Sequence, residues 1–395
     1  MSKGNTLYVG GSGPGNYTKI QDAINASSDG DTVFVFQGSY YGKVVINKSI
    51  SLLGENTNRT FINYTYESGW YSQVILIGSH GVVFSGFTAV LEQGDSALIR
   101  LKYSNNCTIS HNIFRGGQGM DLANSSYTFI ENNTFFTGIT TLSSHGIIKH
   151  NWFTNNGIWL NVYANENDIS DNYFYHCSDY AILSWSPYRN IIERNIILGN
   201  NSNDEGIAIH IEYSDYFPPG NIIRENDIAG CELGIGLKGD YFTVGNNVIH
   251  NNDWGMEFSA FHFSHVTVDN NTFLNDNVGL DLNYGMYGSV FEHNIFHDCG
   301  NALNLYICQG LTFQHNNLTD NSRAIYSAES KADLISQNNL IGNHRNVLSL
   351  LSRDTWRGNY WDEPLSHPKL ILGILPFIQF DWHPAQQPYD IPGIS

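Results

Sequence analysis

The chain has 395 residues, with 19 Lys and Arg against 37 Asp and Glu, for a formal net charge of −18. That balance excludes the basic surface that nucleic-acid phosphates require, and it disfavours docking on an anionic membrane. An acidic polysaccharide would also be repelled at long range, unless a local cation or a bound metal offset the field.

Charged residues make up only 14%, so the polar surface is built mainly from Asn, Ser and Thr, as in many β-rich extracellular proteins. The sequence shows no transmembrane run, hence no membrane insertion, and no signal peptide. Its start, "MSKGNTLYVGG", lacks an apolar core and reads as a trimmed one, because Asn-X-Ser/Thr sites at 16, 47 and 58 suit an extracellular or cell-surface protein. Five widely spread cysteines do not form a disulfide framework.

In chain order, the first element is a helix over about 18–27, with Ile20, Ala23 and Ile24 on one face and Thr18 with Gln21 as a capping box. It serves as the N-terminal cap of a segment, 1–50, that also holds the first coil. Residues 51–358 carry a repeat: Asn, any residue, then Phe, Ile or Leu, followed some eight residues later by Gly and an alternating apolar run. The repeat Asn falls at 112, 133, 151, 172, 195, 226, 247, 271, 294, 316 and 338. The intervals cluster near 22 residues, except for 31 between Asn195 and Asn226.

Period-two alternation separated by Asn and Gly gives short half-buried strands joined by turns. Three such strands per unit predict a single-stranded parallel β-helix of about 12–13 coils, ~60 Å long at the strand spacing. Neither a Leu consensus nor a helical periodicity is present, which sets aside leucine-rich and helical solenoids. The repeat Asn should stack inward at a bend, each amide bonding to the next. Cys177, Cys231 and Cys299 each lie five residues after a repeat Asn, so they belong to one inward column as buried thiols. From 359 the period breaks into a Pro- and aromatic-rich C-terminal cap, 359–395.

The stretch "YTKIQDAINASSDGDTVFVFQGSYYGKVVINKSISLLGE" resembles the opening of NosD-like and pectin-lyase-like right-handed parallel β-helix proteins, and "NYWDE" at 359 resembles their closing coil. The resemblance covers nearly the whole chain. It implies an all-β fold with a right-handed coil. Function is left open between lyases, hydrolases, epimerases, esterases and non-catalytic surface proteins.

In such a coil, outward residues at equal offsets become neighbours. Two positions after the marker Gly or its equivalent, the column reads Asp121, Thr140, Trp159, Leu183, Ala208, Gly236, Glu257, Asp281, Asn304 and Tyr326. Two positions further it reads His210, Lys238, Ser259, Asn283 and Tyr306. His210, Lys238, Glu257, Asp281 and Tyr306 are therefore the candidate catalytic residues. Asn283 and Asn304, with the aromatics Trp159, Trp185, Tyr213 and Tyr241, are candidates for substrate binding. The enlarged coil, which carries Tyr213, Tyr216 and Phe217, must bulge beside this patch, where long loops on a rigid scaffold are often functional.

Three chemistries fit. A polysaccharide lyase or uronan epimerase would use His210 or Lys238 as base, Lys238 as a carboxylate clamp and Tyr306 as proton donor, with Glu257 and Asp281 as a Ca²⁺ pair. A glycoside hydrolase would use Glu257 and Asp281 as its acid pair. The third is a glycan-binding or structural rod without catalysis. Polysaccharide is the expected partner in the first two and glycan in the third. His111, His150, His293 and His315 each precede a repeat Asn and share another outward column, where the last two, on adjacent coils, have the ligand types for a metal. With four Met and no Cys-His cluster, the sequence offers no copper site.

Overall fold

A computed structural model describes residues 4–391, except 65–72, 93–95, 142–143, 161–163, 177–178, 186–187, 200–205, 213–219, 260–264, 372 and 374–377. The chain falls into two compact units, residues 1–177 with 181–190 and residues 178–180 with 191–395. Each is a parallel β-solenoid whose coils contribute one strand to each of three sheets. The third sheet counts fourteen strands among the described residues, slightly more than the twelve or thirteen coils expected.

One coil of the first unit shows the plan. Thr108–Ser110 lies in the first sheet, Ile113–Arg115 in the second and Met120–Ala123 in the third. Each strand pairs in parallel with the strand one coil on: Thr108 opposite Phe129, Ile113 opposite Thr134 and Met120 opposite Ile139. The second unit repeats this plan, but its third-sheet strands are longer. Ile139–Thr141 has three residues, whereas Val278–Gly285 and Asn301–Cys308 have eight. Longer strands carry two outward columns across one flat face instead of one.

The repeat Asn turns the chain from first to second sheet. In the second unit each backbone N–H and side-chain amide donates to the Oδ1 of the next coil's Asn, as from Asn271 to Asn294 at 2.9 and 3.1 Å. The same amide donates to Val244 O at 3.0 Å, so the side chain also satisfies a carbonyl of the preceding coil. The residue before each Asn takes a left-handed backbone, with φ of 56° at Asn246, 57° at Asn270, 54° at His293 and 52° at His315. Asn tolerates that conformation best among the non-glycine residues. Two positions after the Asn, aromatic rings stack in the core. In the first unit Phe114, Phe135, Phe153 and Phe174 follow one another at 5.0, 4.9 and 4.8 Å between centroids.

The first unit opens with a strand, Thr6–Val9, paired in parallel with Thr32–Val35, and then a helix, Ile20–Ala26, that buries Ile20, Ala23 and Ile24. Its N-cap is Lys19 and carries no side-chain cap, so the expected Thr18–Gln21 box is not made. Gln21 is drawn sideways instead. It accepts from Val45 N at 2.7 Å and donates to Val45 O at 3.1 Å, which pins the helix over an otherwise open strand edge. In the second unit, Lys369–Ile371 and Gln379–Asp381 form an antiparallel pair beyond the last parallel coils.

Cys231 and Cys299 are buried and free, while Cys177 lies outside the described residues. Burial pushes both thiols up to about 12. Their inward column continues through Asn252, Asp276, Asn321 and Asn343 as a second ladder: Cys231 N donates to Asn252 Oδ1, Asn252 N to Asp276 Oδ1 and Cys299 N to Asn321 Oδ1.

Candidate functional site

The site is the outward face of the third sheet in the second unit. Along Ile207–Glu212, Leu233–Lys238, Trp254–Ser259, Val278–Gly285 and Asn301–Cys308, alternate residues point inward and are buried. Their outward neighbours form two columns. Register sets His210 opposite Gly236, Gly236 opposite Glu257, Glu257 opposite Asp281 and Asp281 opposite Asn304. It also sets Glu212 opposite Lys238, Ser259 opposite Asn283 and Asn283 opposite Tyr306.

This corrects both expected columns, since Glu212 and not His210 stands opposite Lys238. His210, not Ala208, shares the column of Gly236 and Glu257, and Ala208 is buried with the inward residues. The small-residue position that marks the start of the strand holds Gly234 in one coil and Ala208 in the coil before it, so counting from Gly206 displaces the strand by two residues. The displacement hid Glu212, which occupies the position opposite Lys238.

Glu212 is the hub of one end of the face. Lys238 Nζ forms an ion pair with Glu212 Oε1, and His210 Nε2 lies 3.2 Å from the same oxygen. Burial would raise the Glu212 carboxyl, but hydrogen bonds from Lys238 and His210 and the charges of both outweigh it and hold the group below the usual range. His210 moves in the opposite sense to a surface histidine: burial lowers it, against the upward pull of Glu212, and its side chain is only 12% exposed. The imidazole fits because Gly236 has no side chain. A Cβ there would stand 2.8 Å from His210 Nδ1. Tyr180 covers the ring from another side at 5.6 Å.

Glu257 and Asp281 form the other end. Burial raises the Glu257 carboxyl and the neighbouring Asp281 raises it further, while Lys238 and a hydrogen bond with Ser259 pull it back without cancelling the shift. Asp281 has both oxygens engaged, accepting from Asn283 Nδ2 at 2.7 Å and from Asn304 Nδ2 at 2.9 Å. The two asparagines expected to bind substrate therefore hold the aspartate. Tyr306 is exposed and packs edge-on against Tyr284 at 6.0 Å.

The aromatic candidates divide. Tyr241 is exposed at a left-handed corner beyond the sheet, with one ring face stacked on His265 at 5.0 Å. Trp159 and Trp185 are exposed in the first unit, where Trp159 pairs in register with Leu183. Tyr213, Tyr216 and Phe217 lie outside the described residues.

A family model described as periplasmic copper-binding protein (NosD) matches residues 24–205, 137–262 and 208–373. A cell surface glycoprotein from Methanothermus fervidus is 29% identical over 261 residues, 60% of this chain, which spans 41% of that relative's length. Among solved structures, the alginate lyase AlyF-OU02 in complex with G6 aligns with a TM-score of 0.54 at 11% identity, over 98% of this chain and 92% of its own. Tailspike protein 3 of bacteriophage CBA120 aligns at 0.56 and 11%, over 93% and 66%. The catalytic unit of a GH87 alpha-1,3-glucanase from Streptomyces thermodiastaticus strain HF3-3 aligns at 0.51 and 14%, over 85% and 63%. At these identities the structures share the β-solenoid fold with this chain.

Proposed function

This chain belongs to the NosD family, and on that premise we propose that it is an extracellular protein whose second unit binds a neutral polysaccharide along its third sheet and hydrolyses it. The observation that supports this is the unequal treatment of two adjacent carboxyls. Glu257 is pushed toward its protonated form, whereas Asp281 has both oxygens occupied as acceptors. Environments that separate two neighbouring acids assign one as proton donor and the other as carboxylate.

Glu257 would give its proton to the glycosidic oxygen as the bond to the anomeric carbon breaks. Asp281 would bond to that carbon, and water, deprotonated by the Glu257 carboxylate, would release the sugar. Register partners on neighbouring parallel strands have backbones ~4.8 Å apart, which suits the short carboxyl separation of about 5–5.5 Å in retaining enzymes.

The lyase or epimerase reading keeps His210 as a neutral base, with Tyr306 as donor. It needs a cation for the uronate carboxylate, and the charge of Lys238 is already matched by Glu212. A Ca²⁺ ion held by Glu257 and Asp281 would share the Asp281 oxygens with the amides of Asn283 and Asn304, and would meet a Glu257 carboxyl pushed toward its protonated form. The similarity to a cell surface glycoprotein favours the third reading, a binding surface without turnover.

Screening neutral and acidic polysaccharides for chain shortening, with and without Ca²⁺, separates the three. Hydrolysis of a neutral polymer that falls at least ~100-fold in Glu257→Gln, with binding kept, supports the proposal. Ultraviolet absorbance from an unsaturated product would replace it with elimination, and binding without any shortening would replace it with recognition alone.

A further inference from the structure

A second cluster lies on the second unit at the corner between the first and second sheets. Glu292, His293 and His315 each offer one ligand atom, all within 4.8 Å of one another. His293 and His315 precede the ladder residues Asn294 and Asn316 on successive coils, and their rings face each other at 5.6 Å with 14° between planes. We infer that Glu292, His293 and His315 bind one divalent transition-metal ion of the zinc type.

Three features make this more than a group of polar side chains. First, His293 Nδ1 lies 2.9 Å from Asp269 Oδ1, on the strand paired with that of Glu292. A carboxylate on one ring nitrogen fixes the tautomer and presents Nε2, which is the usual support for a metal-bound histidine. Second, Glu292 Oε2 accepts from Gln314 Nε2 at 2.8 Å, so the carboxylate is oriented and its other oxygen is left to coordinate. Third, the charges suit a dication. Two neutral imidazoles, the Glu292 carboxylate and the Asp269 carboxylate behind His293 balance two positive charges in a chain of net charge −18.

The donor set selects the ion. Two imidazoles and one carboxylate suit Zn²⁺ and its first-row neighbours, whereas Ca²⁺ takes oxygen ligands. Bond lengths of about 2.0–2.2 Å at tetrahedral angles put ligand atoms ~3.4 Å apart, so small side-chain rotations close the present spacing. Three protein ligands leave the fourth position to water. The site is built from corner positions that the fold repeats, which makes its substitution harmless to the coil: Asn stands at the same position at 246 and 270.

The test uses the full chain, stripped with chelator and titrated with Zn²⁺ by calorimetry, with Co²⁺ absorbance as a second readout. Wild type should bind Zn²⁺, and excess Ca²⁺ should not displace it. His293→Asn and His315→Asn should each weaken binding at this site at least ~10-fold, and the double variant should lower the bound stoichiometry by one. Asp269→Asn should weaken it about 10- to 100-fold without removing a ligand, as outer-sphere partners do. Unchanged thermal midpoints in the absence of metal certify the fold of each variant. No binding by wild type, or equal binding by the double variant, overturns the assignment. Because the readout is binding at a different face, its outcome is independent of the hydrolysis proposed above.

Discussion

Replacing Asn271 with Ala removes one rung of the corner ladder, and the structure sets the size of the effect. The Asn271 side chain is fully buried, accepts from Asn247 N at 3.1 Å and Asn247 Nδ2 at 2.9 Å, and donates to Val244 O and Asn294 Oδ1. Alanine deprives the buried Asn247 N–H of its acceptor and cancels four further bonds, one of them from Asn271 Nδ2 to Asp269 O at 3.2 Å. One orphaned buried donor at about 1–3 kcal/mol and four lost bonds at about 0.5–1 kcal/mol each give a cost of about 3–7 kcal/mol. For a body of this size that lowers the thermal midpoint by about 6–28 °C, read by circular dichroism or calorimetry. Native-state hydrogen exchange should show the loss concentrated in the coils around residue 271, since each coil contacts only its neighbours. A midpoint within about 2 °C of wild type would refute the view that these amides hold the coils together.

Asp276 occupies a buried rung of the second ladder with its Oδ2 unpaired, and burial raises its carboxyl to about 7. The folded state therefore binds the proton more tightly than the unfolded one, so this group's contribution to stability falls as pH rises from ~4 through ~7 and stays low above that. Asp276→Asn should remove that loss, stabilising the protein by about 2–4 kcal/mol at pH 8 and by little at pH 4, measured by urea unfolding; equal effects at both pH values would contradict the cause. Gly236→Ala should displace the His210 ring, whose Nδ1 would stand 2.8 Å from the new methyl, and cut any turnover or glycan affinity that depends on the Glu212 cluster. Wild-type activity in that variant would show that His210 is free to move without consequence. Asp281→Asn should abolish chain shortening as Glu257→Gln does while leaving binding intact, and full activity in either variant would remove the pair from the mechanism.

The coil was legible because one buried rung must look like the next. Asn at the bend and Phe two residues later are imposed by stacking, so Asn271 and Phe273 announce themselves by period alone. The columns of the third sheet were legible for the same reason wherever the marker position held Gly. They failed at His210 because Gly206, two residues before the true small position at Ala208, offered a false start that the 31-residue interval gave no means to check; at Ala302 and Ala324 the count held. Glu212 was missed with it. The cap helix failed for a different reason: Gln21 bonds to Val45, 24 residues away, and no local pattern reports that. At the other corner the sequence placed His293 and His315 together, but Asp269 reaches His293 and Gln314 reaches Glu292 across paired strands, so the features behind the proposed ligand set are visible only in register.

The ladder also has a direction, and its end explains an apparent break in the repeat. In the second unit each ladder Asn from Asn226 on both accepts from the coil before it and donates to the coil after it. The last member accepts without an onward rung, so an amide is no longer required there. Asp381 stands at that place and is fully buried. Its Oδ2 accepts from Asn359 N at 2.8 Å, Asn359 Nδ2 at 3.2 Å and Trp361 Nε1 at 3.2 Å, and its Oδ1 accepts from Gly358 N at 2.9 Å. A carboxylate surrounded by donors terminates a chain of amides that all point one way, which an asparagine could do only by turning its own N–H₂ toward other donors. Asp276 is the contrasting case: the same side chain in mid-ladder finds one donor set and leaves an oxygen bare. A buried acid is thus fully paired where a ladder ends, as at Asp381, and left with a bare oxygen in mid-ladder, as at Asp276. That separates the inward carboxyls, which answer to the ladder, from Glu212, Glu257 and Asp281, whose outward positions are the ones the proposed function draws on.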